Sequence, residues 1–145
     1  MDKTSLYTYI QFSGNDDFPL DVVTERLGVQ PTKTWRVGER VKPNHPINQL
    51  LRSYTAWHYE IETKETLYTE DVLRPLLKVF QSKTETINQL KEELILDIRL
   101  ELVIQIYDGY TPALVIYPEF SKFAAKINAI LDVDMYVFSF NDPDE

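Results

Sequence analysis

The sequence contains no cysteine, and this absence excludes several kinds of chemistry at once. Without thiols there are no disulfides, no thiolate nucleophiles, no iron–sulfur clusters and no zinc sites with sulfur ligands. Histidine occurs only twice and glycine only four times, which leaves too little for a histidine-rich metal site or a glycine-rich phosphate loop. No apolar run approaches the roughly 18 residues of a membrane-spanning helix. We therefore expect no cofactor, no bound metal and no membrane partner.

Acidic residues outnumber basic ones, and the basic ones are unevenly placed. Fifteen Lys and Arg against 23 Asp and Glu give a net charge of −8. Residues 26–52 hold six bases and one acid, a net charge of +5, which leaves −13 for the rest of the chain. Such a negative field favours a basic protein as partner and disfavours nucleic acid. Residues 141–145 have the composition of a solvated acidic tail.

The length and composition indicate one domain over residues 1–145. A chain of 145 residues that is 43% hydrophobic and 12% aromatic has enough material for a single buried core. Residues 1–8 lack a basic segment followed by an apolar one, so we expect no signal peptide. Together with the missing cysteine, this favours a cytoplasmic location.

The order of the periodic patterns predicts an α+β fold. Alternation predicts strands over residues 4–13, 55–63, 98–107, 113–117 and 133–140, and helical spacing predicts helices over residues 19–28, 69–94 and 118–131. Residues 29–53 are punctuated by proline and glycine and form a long loop. This order resembles a ferredoxin-like α/β sandwich with a mostly antiparallel sheet, to which a long helix and a long loop are added.

No constellation of residues in the sequence predicts catalysis. His58 and Glu60 share one strand face, where residues two positions apart stand roughly 7 Å from each other, but a metal site needs further ligands. Adjacent acids such as Glu92 and Glu93 are typical of a solvated helix surface, and the serines have no recognisable base and orienting acid. We therefore predict no catalytic residue, no metal ligand and no enzymatic activity.

The long loop contains an aromatic residue flanked by cations. Lys33, Trp35, Arg36 and Arg40 are candidate ligand-binding residues, because such a group suits a planar or anionic ligand through cation–π contacts and charge-assisted hydrogen bonds. In the alternative, Trp35 fills the edge of the core and the cations pair with acids of the protein itself.

One face of the predicted sheet gathers aromatic and polar side chains. Its candidate interaction residues are Tyr7, Tyr9, His58, Glu60, Glu101 and Tyr107, with Gln105 between them and a possible contribution from Tyr136, Phe138 and Phe140. An aromatic and polar face without a covering helix is a plausible binding or dimer surface. The alternative is that the long helix or the long loop covers it.

Several segments resemble a family of small bacterial proteins known as domain-of-unknown-function family 4279. They are residues 9–12 (YIQF), residues 27–32 (LGVQPT) continuing to Trp35 and Gly38, then Trp57, and residues 131–136 (LDVDMY). The resemblance extends over nearly the whole chain. It implies a bacterial and intracellular protein, and it supplies no catalytic residue.

Two functions are open at this point. The first is a non-enzymatic interaction module that binds a basic protein, in the manner of an immunity protein, as a monomer or a homodimer. The second is a sensor domain that binds a small molecule or an anion through the Lys33–Arg40 loop. A partner protein would identify the first function and a bound small molecule the second.

Overall fold

The computed structural model describes residues 2–140, so the predicted acidic tail lies outside the described residues. Five strands and four α-helices follow in the order β1 (Ser5–Gly14), α1 (Leu20–Leu27), β2 (Lys33–Trp35), β3 (Thr55–Glu65), α2 (Glu70–Phe80), α3 (Thr84–Leu94), β4 (Asp97–Ile106), α4 (Pro118–Lys126) and β5 (Ile130–Val137). Several helix ends lie at the expected punctuation. Gly28, for example, ends α1 in the left-handed conformation that glycine adopts without strain.

The strands form one sheet in the order β2-β3-β1-β4-β5. All neighbours are antiparallel except β4 and β5, which are parallel and joined by α4. The predicted α+β class and mostly antiparallel sheet are confirmed. The sheet contains one split β-α-β unit, because β3 and β4 are parallel, are joined through α2 and α3, and have β1 between them.

All four helices pack on one face of the sheet. Alternation along β1 and β4 directs Ile10, Phe12, Ile98 and Leu100 to this face, where they form the main core with apolar residues of α1, α2, α3 and α4. Trp57 is fully buried there, and its Nε1 donates a hydrogen bond of 2.9 Å to Thr24 Oγ1 on α1. The opposite face of the sheet is left to the loops and to solvent.

Three predicted elements differ from the observed ones. The long helix is two helices separated by a 3₁₀ turn at Gln81–Lys83, where a polar run gives the stripe no apolar residue to bury. Residues 113–117 make only an isolated bridge, between Tyr68 and Ala113, instead of a strand. The last helix ends at Lys126, so that Leu131 lies on β5, which starts three residues before the predicted strand.

The long loop over residues 29–53 is present, but it contains the short strand β2 and an isolated bridge between Arg40 and Leu51. The strand attaches the loop to the sheet beside β3, with Lys33 opposite His58 and Trp35 opposite Ala56. Among the described residues, no helix is long and apolar enough to cross a membrane.

Candidate binding cleft

A polar cleft of about 660 Å³ extends over the helix-free face of the sheet. Its floor is made by side chains of all five strands, and residues of the β1–α1 turn and of the segment before β3 form part of its wall. The residues that alternate with the core positions along each strand point to this side, and they form the cleft. On the central strand β1 they are Tyr7, Tyr9 and Gln11. Their neighbours across the sheet are His58 and Glu60 on β3, and Arg99 and Glu101 on β4. Its volume is in the range of small-molecule sites.

One end of the cleft is aromatic. We call Trp35, Tyr54, His58 and Tyr9 the aromatic end, since their rings follow one another from β2 to β1. The ring centroids are 5.7 Å apart for Trp35 and Tyr54, 6.3 Å for Trp35 and His58, and 4.2 Å for His58 and Tyr9. Two cations lie against Trp35, with the Arg52 guanidinium 4.2 Å and Lys33 Nζ 5.6 Å from the ring centroid. The aromatic end therefore carries positive charge.

Trp35 is buried but incompletely satisfied. Only 7% of the residue is exposed, and its indole Nε1 has no hydrogen-bond partner. A buried donor without an acceptor costs about 1–3 kcal/mol.

His58 is held between two acceptors. It is 3% exposed, with Nδ1 at 3.1 Å from Gln11 Oε1 and Nε2 at 3.1 Å from Glu60 Oε1. Burial lowers the pKa of His58 below its ordinary value of 6.5, against the opposing effect of the hydrogen bond to Glu60. A neutral imidazole donates to only one of these oxygens. The sequence correctly placed His58 and Glu60 on one face, although their side chains approach much more closely than the roughly 7 Å expected from strand spacing.

The other end of the cleft is acidic. We call Glu101 on β4 with Asp132 and Asp134 on β5 the acidic end; one oxygen from each lies within 4.8 Å of the others. Arg99 forms an ion pair with Asp132, and its Nη1 lies 3.9 Å from Glu101 Oε2. Burial, followed by a side-chain hydrogen bond with Asp134 and the charge of that carboxylate, raises the pKa of Glu101 from its ordinary value of 4.5 to about 8.

Glu101 is the most deeply buried member of the acidic end. Its side chain is 2% exposed, and its Oε2 accepts no hydrogen bond. Over residues 2–140, Glu101 Oε2 and Trp35 Nε1 are the two buried side-chain polar atoms without a hydrogen-bond partner. Both belong to residues that line the same cleft, one as a donor at the aromatic end and the other as an acceptor at the acidic end.

The four predicted loop residues do not come together. Lys33 and Trp35 line the cleft. Arg36 instead pairs with Asp17 at 2.8 Å, and Arg40 donates to backbone oxygens of its own loop, including that of His45 at 2.7 Å. The predicted alternative holds in part, because Trp35 is buried and Arg36 pairs with an acid of the protein.

Most of the predicted interaction face is found in the cleft. Tyr7, Tyr9, His58, Glu60 and Glu101 line it. Tyr107 lies beyond the end of β4 and stacks on Phe138 with the ring centroids 4.5 Å apart, away from the other five. Glu101 was expected as an exposed member of the face, but the surrounding side chains bury it.

Sequence reasoning missed Asp132, Asp134, Arg99 and Tyr54. The signal for the two aspartates was their spacing, since residues two apart on a strand share a face. The predicted last strand began at Val133, however, and nothing in the sequence indicated that it pairs in parallel with β4. This pairing, with Glu101 opposite Asp132 and Val103 opposite Asp134, is what assembles the acidic end.

The fold and the cleft together define a small α+β domain with helices on one face of its sheet and a polar cleft on the other. The model of the family described as "Domain of unknown function (DUF4279)" matches residues 4–138. The chain therefore belongs to this family, as the resemblance in its sequence implied. No curated protein and no solved structure matches the chain.

Proposed function

We propose that this chain is a non-enzymatic domain that binds a small anionic ligand in the cleft, at the aromatic end. The observation that carries the proposal is the buried, unpartnered donor Trp35 Nε1 beside two cations. An anionic oxygen there would accept from the indole and would be attracted by Lys33 and Arg52. This is the second of the two functions that the sequence left open, with Lys33 and Trp35 kept as binding residues and with Arg52 added because it lies over the Trp35 ring.

Thermal unfolding in a panel of anions tests the proposal. Phosphate, sulfate and nucleotides are added in turn to the wild type, because a ligand at about 100 times its Kd stabilises the folded state by about 2.7 kcal/mol. We expect at least one of them to raise Tm, and Lys33→Ala to abolish that rise.

The chain itself offers matched controls. Arg36→Ala and Arg40→Ala each remove a cation from the same loop but outside the cleft, so both variants should keep the wild-type response. The proposal is wrong if no anion stabilises the wild type, or if these variants lose the response as fully as Lys33→Ala does.

A second candidate is an interaction module for a basic protein, similar to an immunity protein. It is favoured by the net charge of −8 and by the position of Glu60, whose half-exposed carboxylate lines the cleft. Charges at the rim of an interface act mainly on the association rate and its salt dependence. A basic partner should therefore associate more slowly with Glu60→Lys than with the wild type.

Capture from the source cell with three baits tests this candidate. A basic protein retained by the wild type and by Lys33→Ala, and lost by Glu60→Lys at low salt, would support it. Equal retention by all three baits would contradict it, since the acidic surface would then have no part in binding.

A further inference from the structure

The acidic end of the cleft has the composition of a cation site. Glu101, Asp132 and Asp134 come from neighbouring parallel strands, and their oxygens lie within 4.8 Å of one another. Clusters of carboxylates are common on protein surfaces without any ion, so proximity alone does not define a site. The decisive group is Glu101.

The second observation is one oxygen of Glu101, Oε2, which is buried without a hydrogen-bond partner. A carboxylate oxygen that is 2% exposed ordinarily accepts a hydrogen bond, yet Oε2 accepts none, and Arg99 Nη1, at 3.9 Å, is beyond hydrogen-bonding distance. The neighbouring carboxylates repel the charge of Glu101 and so increase the cost of ionising it. A cation between the three groups would interact with Oε2 and would also offset this repulsion.

The charge of the acidic end matches a divalent ion. Three carboxylates and the adjacent Arg99 sum to −2 when all are ionised, which is the state in which carboxylates bind a cation. Arg99 is ion-paired with Asp132, which leaves Glu101 and Asp134 without a full counter-charge. An ion of charge +2 would make the group neutral in a partly buried position, where uncompensated charge is costly.

We propose that Glu101, Asp132 and Asp134 form a binding site for a hard divalent cation, with Ca²⁺ as the best-fitting ion. Carboxylate oxygens are the ligands that hard cations prefer. Ca²⁺ binds oxygen at about 2.3–2.6 Å, so three oxygens within 4.8 Å of one another can all reach one ion. Mg²⁺ requires a near-ideal octahedron at about 2.0–2.1 Å, whereas Ca²⁺ accepts irregular sets of carboxylates such as this one.

The site does not depend on the anionic ligand proposed above. It uses the opposite end of the cleft, and the ion alone is the probe. Failure of the anion panel would leave the cation site standing, and the converse also holds.

Calorimetric titration of the metal-stripped full chain with CaCl₂, MgCl₂ and MnCl₂ tests the site, with thermal unfolding as a second measurement. We expect saturable Ca²⁺ binding near one ion per chain, tighter than Mg²⁺ binding, and a rise in Tm of at least about 3 °C when Ca²⁺ exceeds its Kd by about tenfold. Asp134→Asn should weaken Ca²⁺ binding by at least about tenfold, since carboxylate count sets the affinity of such sites.

Two further variants control for folding and for general charge. Glu101→Gln keeps the shape of the buried side chain and should also lose the response to Ca²⁺. Asp97→Asn removes a carboxylate that lies on the same strand and lines the same cleft, but outside the acidic end; it should bind Ca²⁺ within about twofold of the wild type. The proposal is overturned if no divalent ion binds the wild type saturably, or if Glu101→Gln and Asp134→Asn bind as Asp97→Asn does. Absence of saturable binding by any divalent ion would mean that Glu101 and Asp134 share a proton instead of binding a cation.

Discussion

Glu101 and Asp134 lie on neighbouring parallel strands with carboxylate oxygens within 4.8 Å of each other, and one of the two side chains is almost completely buried. Burial and the neighbouring acids raise the pKa of Glu101 to about 8. The energetic consequence depends on pH and can be measured on the protein without any ligand.

In the presence of a chelator, we expect the wild type to lose stability as the pH rises. Glu101 holds its proton more tightly in the folded state, so the folded state binds more protons than the unfolded state between the ordinary pKa of 4.5 and the folded value of about 8. Stability contributed by this group therefore falls across that window and is constant above it. One pKa unit corresponds to about 1.4 kcal/mol. The free energy of unfolding of Glu101→Gln, measured relative to the wild type, should therefore be about 2–4 kcal/mol higher at pH 9 than at pH 5. Urea unfolding at both values measures this difference, and parallel pH profiles of the two proteins would contradict it.

His58 should cause a loss of stability at the acidic side of neutrality. Because burial lowers its pKa below 6.5, the unfolded state binds more protons than the folded state below that value. The contribution of His58 is therefore complete above pH 6.5 and is lost as the pH falls through 6.5 towards the folded pKa. The titratable or charged groups near the ring are Glu60, Lys33 and Tyr9, and Gln11 and Trp35 are its uncharged neighbours.

Unfolding of the wild type and His58→Gln at pH 5.5 and pH 7.5 measures this effect. We expect the free energy of unfolding of the wild type to fall more between pH 7.5 and pH 5.5 than that of the variant does. His45→Gln is the control for removal of a histidine, since His45 lies in the exposed part of the long loop. If the free energies of unfolding of the wild type and His58→Gln change by the same amount between the two pH values, His58 is not held neutral.

Trp35 should prove structural as well as functional. Its ring is 7% exposed and contacts Tyr54, His58 and Arg52. Truncation to alanine should lower the free energy of unfolding by about 3–5 kcal/mol. Trp35→Phe keeps much of the apolar contact and removes the unpaired donor, so it should cost less, about 1–2 kcal/mol. Urea unfolding followed by circular dichroism measures both variants, and an unchanged midpoint for Trp35→Ala would place the ring at the surface.

The parts of the fold that follow from alternation could be predicted from the sequence. The two unlike faces of β1 and β4 are visible in the spacing of their apolar residues, and they placed Tyr9 and Glu101 correctly on the face opposite the core. The break between α2 and α3 was not predicted, because Phe80 and Ile87 keep their seven-residue spacing across the polar run at Gln81–Lys83. Both remain buried in the same core, so the apolar stripe looks continuous although the backbone is not.

The acidic end could not be predicted, because it depends on a pairing between distant segments. The spacing of Asp132 and Asp134 shows that they share a face, but only the parallel register with β4 brings them to Glu101. The same is true of Trp35. Its position follows from pairing opposite Ala56, and local sequence does not contain that information.

The register of β5 also connects the cleft with the local unfolding of the sheet. β5 is one of the two edge strands of the sheet, with β4 as its neighbour, and it carries two of the three acids of the acidic end. Edge strands open more readily than central ones, and the backbone amides of such segments exchange their hydrogens faster with solvent. An ion that requires β4 and β5 together would suppress this opening, so the exchange rate of the β5 amides would report occupancy of the acidic end from the backbone alone.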